Sequence, residues 1–118
     1  MKDEYKDNII VNLTFEFALN IIDFCEMLNK EGKFEISKQL LRSGTSIGAN
    51  VREAQNAESR SDFIHKLKIS AKEAEETEYW LLLCKHSDHL SSPGELISEL
   101  EPIKKVITKI ISSSKSKI

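Results

Sequence analysis

Apolar side chains recur at three- and four-residue intervals in four separate stretches of this sequence. Nowhere does an alternating β-branched run sit between hairpin turns. That combination argues against a sheet and leaves helices packing on helices. The first stretch runs from about Asn8 to Lys30 and stops at Gly32, a residue suited to the left-handed conformation that closes a helix. The second covers about residues 34–57. The third follows "ESRSD", where Ser59 and Asp62 have the spacing of a capping box, and covers about residues 60–86. The fourth opens at "SPGE", with Ser92 as the cap, Pro93 at the first helical position and Glu95 at the third. It is expected over about 93–113, with Leu96, Leu100, Ile103, Ile107 and Ile110 as its apolar stripe and a kink at Pro102. Short connections between long helices favour antiparallel neighbours. The expected fold is therefore all-α, an up-down antiparallel four-helix bundle in a single domain over residues 1–118.

The second helix contains an apparent contradiction, because Gly44 and Gly48 interrupt its apolar pattern and each should cost a helix interior roughly 1 kcal/mol relative to alanine. At 100° per residue, Ile36, Leu40, Ile47, Val51 and Ala54 share one face, with the two glycines along its edge beside Leu41. Arg42, Ser46, Asn50 and Glu53 fall together on the opposite side. A phosphate-cradling loop needs its glycines between a strand and a helix start, followed by a lysine, and neither is present. The glycines are expected to admit another helix backbone at close range.

Two features exceed what a monomeric bundle needs. Between Ile9 and Leu28, 14 of 20 residues are apolar, and Asn12, Glu16, Asn20, Asp23 and Glu26 form one narrow polar stripe. The apolar arc is about twice the roughly 100° that a surface helix requires. On the third helix the expected core stripe is Phe63, Leu67, Ala71, Ala74 and Leu81, which leaves Ile69, Trp80 and Leu83 well off it. Val11, Phe15, Leu19 and Ile22 on the first helix, with Ile69, Trp80 and Leu83 on the third, are the expected oligomer interface.

Chemistry is sparse. Glu78 falls in the middle of the expected stripe, between Ala74 and Leu81, where a carboxylate must be paired, hydrogen-bonded or protonated. No histidine or second carboxylate is placed to work with it, and Ser43, Thr45 and Ser46 have no accompanying base. A carboxylate-bridged metal site needs two Glu-x-x-His pairs on facing helices; Asp62-Phe63-Ile64-His65 is a single imperfect instance. His86 and His89 sit in an expected loop. Cys25 and Cys84 are distant in sequence, form no CxxC, and read as free thiols of a reducing cytosol. The start "MKDEYKDN" is charged, unlike a secretory signal, and no apolar run approaches the ~18 residues of a membrane span. The reading is a cytoplasmic protein with no catalytic residues, no metal, no cofactor and no membrane partner. Charge is uneven: residues 104–118 hold five lysines and no acid, whereas residues 1–103 carry 12 basic and 19 acidic side chains. Arg42, Arg52, Arg60, Lys66, Lys104, Lys105 and Lys109 are the candidate nucleic-acid contacts.

The run "RSGTSIGANVREAQ" (residues 42–55) and the run "ETEYWL" (residues 76–81) resemble the central block of the four-helix-bundle family of the 23S rRNA intervening-sequence protein. The similarity is strongest over residues 40–83 and extends more loosely across the chain. It implies a bacterial cytoplasmic protein, non-enzymatic, assembling as a ring-like homopentamer of antiparallel bundles. A related branch accompanies diversity-generating retroelements, where a basic bundle binds the reverse transcriptase and nucleic acid; this chain departs from it in being acidic. Arg42, Asn50, Glu53 and Glu73 match the family's polar positions. Two functions follow as expectations: a homo-oligomeric scaffold or adaptor for a macromolecular partner, and an RNA- or DNA-binding protein.

Overall fold

The computed structural model describes residues 5–116, and four helices account for most of them. α1 spans Ile9–Lys30, α2 Phe34–Ala54, α3 Arg60–His86 and α4 Leu96–Ser116. α2 and α4 each pack against both α1 and α3, so α1 and α3 stand on a diagonal of the bundle. Antiparallel pairing shows in the cross-helix contacts: Asn8 reaches Gln55, Cys25 reaches Ser37, and Lys66 reaches Glu53. This is the all-α four-helix bundle that the periodicity requires.

Local signals fix most of the helix ends. The Asn8 side chain accepts a hydrogen bond from the Val11 amide and so satisfies a free donor of the first turn. At the other end of α1, Gly32 adopts φ +76° while the Lys33 amide donates to Leu28 O and the Gly32 amide to Asn29 O. These are the two bonds of a Schellman closure, and they turn the chain into α2 within three residues. Ser59 Oγ accepts from the Asp62 amide, and the Asp62 carboxylate reaches back to the Glu58 amide.

Three boundaries differ from the sequence reading, one of them the end of α4, which runs on to Ser116 rather than stopping near residue 113. α4 begins at Leu96 rather than at residue 93, because Gly94 takes a left-handed φ of +60° and the Leu96 amide closes a turn onto Pro93 O. A residue at positive φ cannot lie inside an α-helix, so "SPGE" is a turn that precedes the helix. α2 ends at Ala54, and residues 55–57 wind on through tighter bonds to Arg52, Glu53 and Ala54. Pro102 lies inside α4 without ending it.

The buried seam of α1 takes Ile10, Thr14, Phe17, Ile21, Phe24 and Leu28, at alternating steps of four and three. On α3 the buried residues are Ile64, Leu67, Ser70, Ala74, Thr77, Leu81 and Cys84. This stripe is rotated from the expected one: Phe63 and Ala71 are half-buried at its edge, and Thr77, not Glu78, occupies the centre. The rotation is possible because the small hydroxyl residues find acceptors. Ser70 donates to Ile47 O at 2.8 Å, and Thr77 Oγ1 lies 2.7 Å from Glu73 O and 3.0 Å from Ser43 Oγ. Buried hydroxyls with partners cost little, so shape rather than hydropathy selects the face.

α2 meets α1 through its glycines. A Cβ added to Gly44 would stand 2.9 Å from both Cγ1 and Cγ2 of fully buried Ile21. At Gly48 it would stand 3.2–3.3 Å from the Thr14 side chain and carbonyl oxygen. Gly44→Ala is therefore expected to destabilise the fold by about 1–3 kcal/mol despite alanine's better helix propensity. Gly48→Ala is expected to change stability less than Gly44→Ala does, since its contacts are a few tenths of an ångström looser. Urea denaturation followed by circular dichroism checks both; a Gly44→Ala protein as stable as wild type refutes the close-packing account.

Candidate interaction surfaces

The outer face shared by α1 and α2 is apolar. Phe15, Leu19 and Ile22 on α1 and Leu41 on α2 are each 40–43% exposed. Beside Phe15, Ala18, Thr45, Gly48 and Ala49 line a shallow groove of about 200 Å³, with Arg52 at its rim. The groove exists because the small residues of α2 bring no bulk to fill it. Val11 corrects the expected interface: it is 4% exposed and belongs to the chain's own core, one turn before Thr14 on the side facing α2. Leu41 belongs to the exposed face instead. Its place beside Gly44 and Gly48 was legible in the sequence, but not the fact that α1 leaves it uncovered.

The opposite edge of α2 forms a polar seam with α3. The Arg42 guanidinium bridges Glu73, at 3.2 Å, and Glu76, and the Trp80 indole N–H donates to the same Glu76 carboxylate at 3.0 Å. Further along, Lys66 pairs with Glu53 at 3.2 Å, and Asn50 donates to Ser46 O. Of the four polar positions named from the family resemblance, Arg42, Glu53 and Glu73 therefore pair across this seam, whereas Asn50 bonds within α2. Glu76 was missed, although it lies one turn from Glu73 and antiparallel pairing brings both opposite Arg42. Trp80 is not a free outward anchor: it is half-buried, packs against the core and stacks edge-on with Tyr79 at 5.2 Å between ring centroids. Ile69 is likewise half-buried, because both residues lie on the α2 side of α3 rather than on its outer face. Tyr79, Leu82 and Leu83 are the exposed ones.

Glu78 sits on the other flank of α3, facing α4, where Lys104 donates to it at 3.1 Å and also pairs with Glu75. The expected carboxylate at the centre of the apolar face is thus an edge residue with a cationic partner. Burial works against the Lys104 ammonium, yet its hydrogen bonds and charge pairing with Glu78 and Glu75 prevail and raise its pKa. The candidate nucleic-acid contacts divide accordingly. Arg42, Lys66 and Lys104 are held by carboxylates, Arg52 lies 5.0 Å above the Tyr5 ring, and Arg60 donates to Ser114 O. Lys105 and Lys109 have no carboxylate partner among the described residues.

Among the described residues no group of three His, Cys, Asp or Glu side chains is arranged to hold a metal ion, and no helix is long and apolar enough to cross a membrane. Cys25 and Cys84 are free and buried. Burial raises the Cys25 thiol, opposed by its hydrogen bond with Ser37 and assisted by Glu26. Burial, with a smaller push from Cys25, takes Cys84 up to about 11. Such thiols are poor nucleophiles at neutral pH. An unfolded thiol ionises near pH 8.5 and folded Cys84 only near 11, so its stabilising contribution is complete below 8.5 and is lost as pH rises between the two. Iodoacetamide is expected to spare both cysteines of the native protein at pH 8 and to modify both in guanidinium. The stability advantage of wild type over Cys84→Ala is expected to shrink by about 2–3 kcal/mol between pH 8 and 11. Mass spectrometry and urea titrations at the two pH values check these outcomes; rapid native alkylation refutes the inert-thiol reading.

These surfaces define the class: a helical bundle with ion pairs joining α2 to α3 and α3 to α4 and an apolar outer α1–α2 face. The chain belongs to the 23S rRNA-intervening sequence protein family, whose sequence model matches residues 6–109. Its fold is similar to the 1.70 Å crystal structure of a protein of unknown function from the S23 ribosomal protein family of Bacteroides thetaiotaomicron VPI-5482. The two are 43% identical, with 86% of this chain and 97% of the other covered and a TM-score of 0.81. No curated protein matches the sequence.

Proposed function

We propose that this chain is a non-catalytic cytoplasmic subunit of a homo-oligomeric scaffold that presents a macromolecular partner with a multivalent surface. The observation that carries the reading is the apolar strip of Phe15, Leu19, Ile22 and Leu41 along one outer face, opening onto the groove between α1 and α2. Four large apolar side chains left two-fifths exposed beside one another form a patch of the kind that marks an interface. The diagonal placement of α1 and α3 argues for how copies would join. Tyr79 and Leu83 on the outward side of α3 face away from the α1–α2 strip. A two-fold contact through either face leaves the other bare, whereas joining one face to the other covers both and makes a ring when the rotation between successive copies closes. Five subunits is the count that the family resemblance supports.

The test is the mass of the particle. Wild type is expected to run as an oligomer in size-exclusion chromatography with light scattering. Phe15→Asp combined with Leu19→Asp is expected to give smaller species with unchanged helical circular dichroism, because apolar anchors at an interface centre cost ~2 kcal/mol or more when lost. Trp80 is unsuited to this test, since its contacts with the core and with Glu76 tie it to the fold. A wild-type chain that is monomeric at micromolar concentration sinks the proposal.

A further inference from the structure

The α3–α4 hairpin is polarised along its length. From Arg60 to Lys72 the first half of α3 carries four Lys or Arg against Asp62 alone, and the antiparallel second half of α4 adds Lys104, Lys105, Lys109 and Lys115 with no acid. The other half of the hairpin reverses this: there are four glutamates from Glu73 to Glu78, Glu95 precedes α4, and Glu99 and Glu101 lie in its first half, with Lys85 the one lysine or arginine. Arg60, donating to Ser114 O, ties the basic ends of the two helices together.

Ion pairing consumes only part of this charge. Lys66 and Lys104 have carboxylate partners, whereas Lys68, Lys72, Lys105, Lys109 and Lys115 are exposed and have none among the described residues. Hollows accompany them. One of about 320 Å³ lies between the helices, lined by Ser61, Ile64, His65, Lys68 and Lys115. Another, of about 500 Å³, follows α4 from Glu101 past Lys105, Thr108, Lys109 and Ser112. Ammonium and hydroxyl donors line both, and Glu101 is the one carboxylate, at the end nearer the acidic half. None of the large exposed apolar side chains falls within residues 60–72 or 104–116. A protein partner would be expected to find an apolar anchor there, and a phosphate chain needs none.

We infer that this basic end of the α3–α4 hairpin binds the phosphodiester backbone of nucleic acid, without reading its sequence. From Lys105 to Lys115 the helix rises about 15 Å, the reach of four or five phosphates of one strand at ~3.4 Å each. No Phe, Tyr or Trp lines either hollow to stack on a base, and the His65 imidazole is the one ring beside them. The acidic half repels the same ligand, so the strand crosses the basic end rather than running the length of the bundle. This inference uses neither the apolar strip nor the oligomeric state, and it stands or falls separately from the scaffold reading.

The experiment measures fluorescence anisotropy of labelled 20-nucleotide RNA and DNA, single-stranded and duplex, with the full chain at several salt concentrations. Wild type is expected to bind at 50 mM salt and to weaken with a log–log slope of about −2 to −3 on single strands, the value for three to four phosphate contacts. Lys68→Gln, Lys109→Gln and Lys115→Gln together are expected to lose at least tenfold more affinity than Lys30→Gln, Lys33→Gln and Lys85→Gln, which change net charge equally at the opposite end. Circular dichroism of both triples controls for folding. Equal losses in the two triples overturn the site, as does absence of wild-type binding at 50 mM salt. Preferential binding to phosphatidylglycerol vesicles overturns it in favour of a membrane surface. Loss of self-association in the first triple, without loss of nucleic acid, assigns the patch to the acidic end of a second copy and also overturns it.

Discussion

The close contact between α1 and α2 governs much of the rest of the structure. With Gly44 against Ile21 and Gly48 against Thr14, α2 lies nearer to α1 than any residue with a Cβ would allow without displacing its neighbours. Two consequences follow from the same geometry. The buried face of α2 seats Leu40, Ile47 and Val51 fully in the core, where each such side chain contributes about 1.5–3 kcal/mol through burial. The outer face, lacking bulk at Thr45, Gly48 and Ala49, leaves a groove and exposes Leu41, Phe15 and Leu19 around it. The device that tightens the bundle also creates its apolar outer surface.

On the other side of α2 the packing problem is solved with hydroxyls. Ser43, Ser70 and Thr77 are completely buried, yet each has a partner, and no buried side-chain nitrogen or oxygen among the described residues is left without one. Small polar residues let α2 and α3 approach while Ser70 anchors directly to the α2 backbone at Ile47. Around this interior the charged residues make bridges between helices: Arg42 and Lys66 join α2 to α3, and Lys104 joins α3 to α4. Partly exposed pairs of this kind contribute little to stability individually, and their larger effect is to fix helix register and orientation.

Charge used in this way is charge withdrawn from ligands. Three of the seven basic residues that the sequence marks for nucleic acid are neutralised by their neighbours, and the lysines without a carboxylate partner on α3 and α4 concentrate in the first half of α3 and the second half of α4. The hairpin topology produces that concentration, because it lays the basic start of one helix beside the basic end of the next. An acidic net charge of −2 therefore coexists with a locally basic surface.

The sequence by itself determined the helices, the number of them and most of their ends, because caps and periodicity act over a few residues and need no distant partner. Asn8, Ser59 and the Gly32 closure are of this kind. It also placed Gly44 and Gly48 on an edge of α2, since a helical wheel requires only the pitch. Tertiary structure decided which way α3 turns. By hydropathy Phe63, Ala71 and Glu78 looked inward, but Ser70 and Thr77 take the inner positions once Ile47 O and Ser43 supply hydrogen-bond partners, and those partners lie on another helix. The same holds for Val11, which is apolar in either role and buried only because α2 comes close enough to cover it. It holds for Trp80 too, whose indole N–H donates to Glu76, the carboxylate that Arg42 of α2 also holds. Burial is a property of pairs of surfaces, and one helix's sequence describes only one of them.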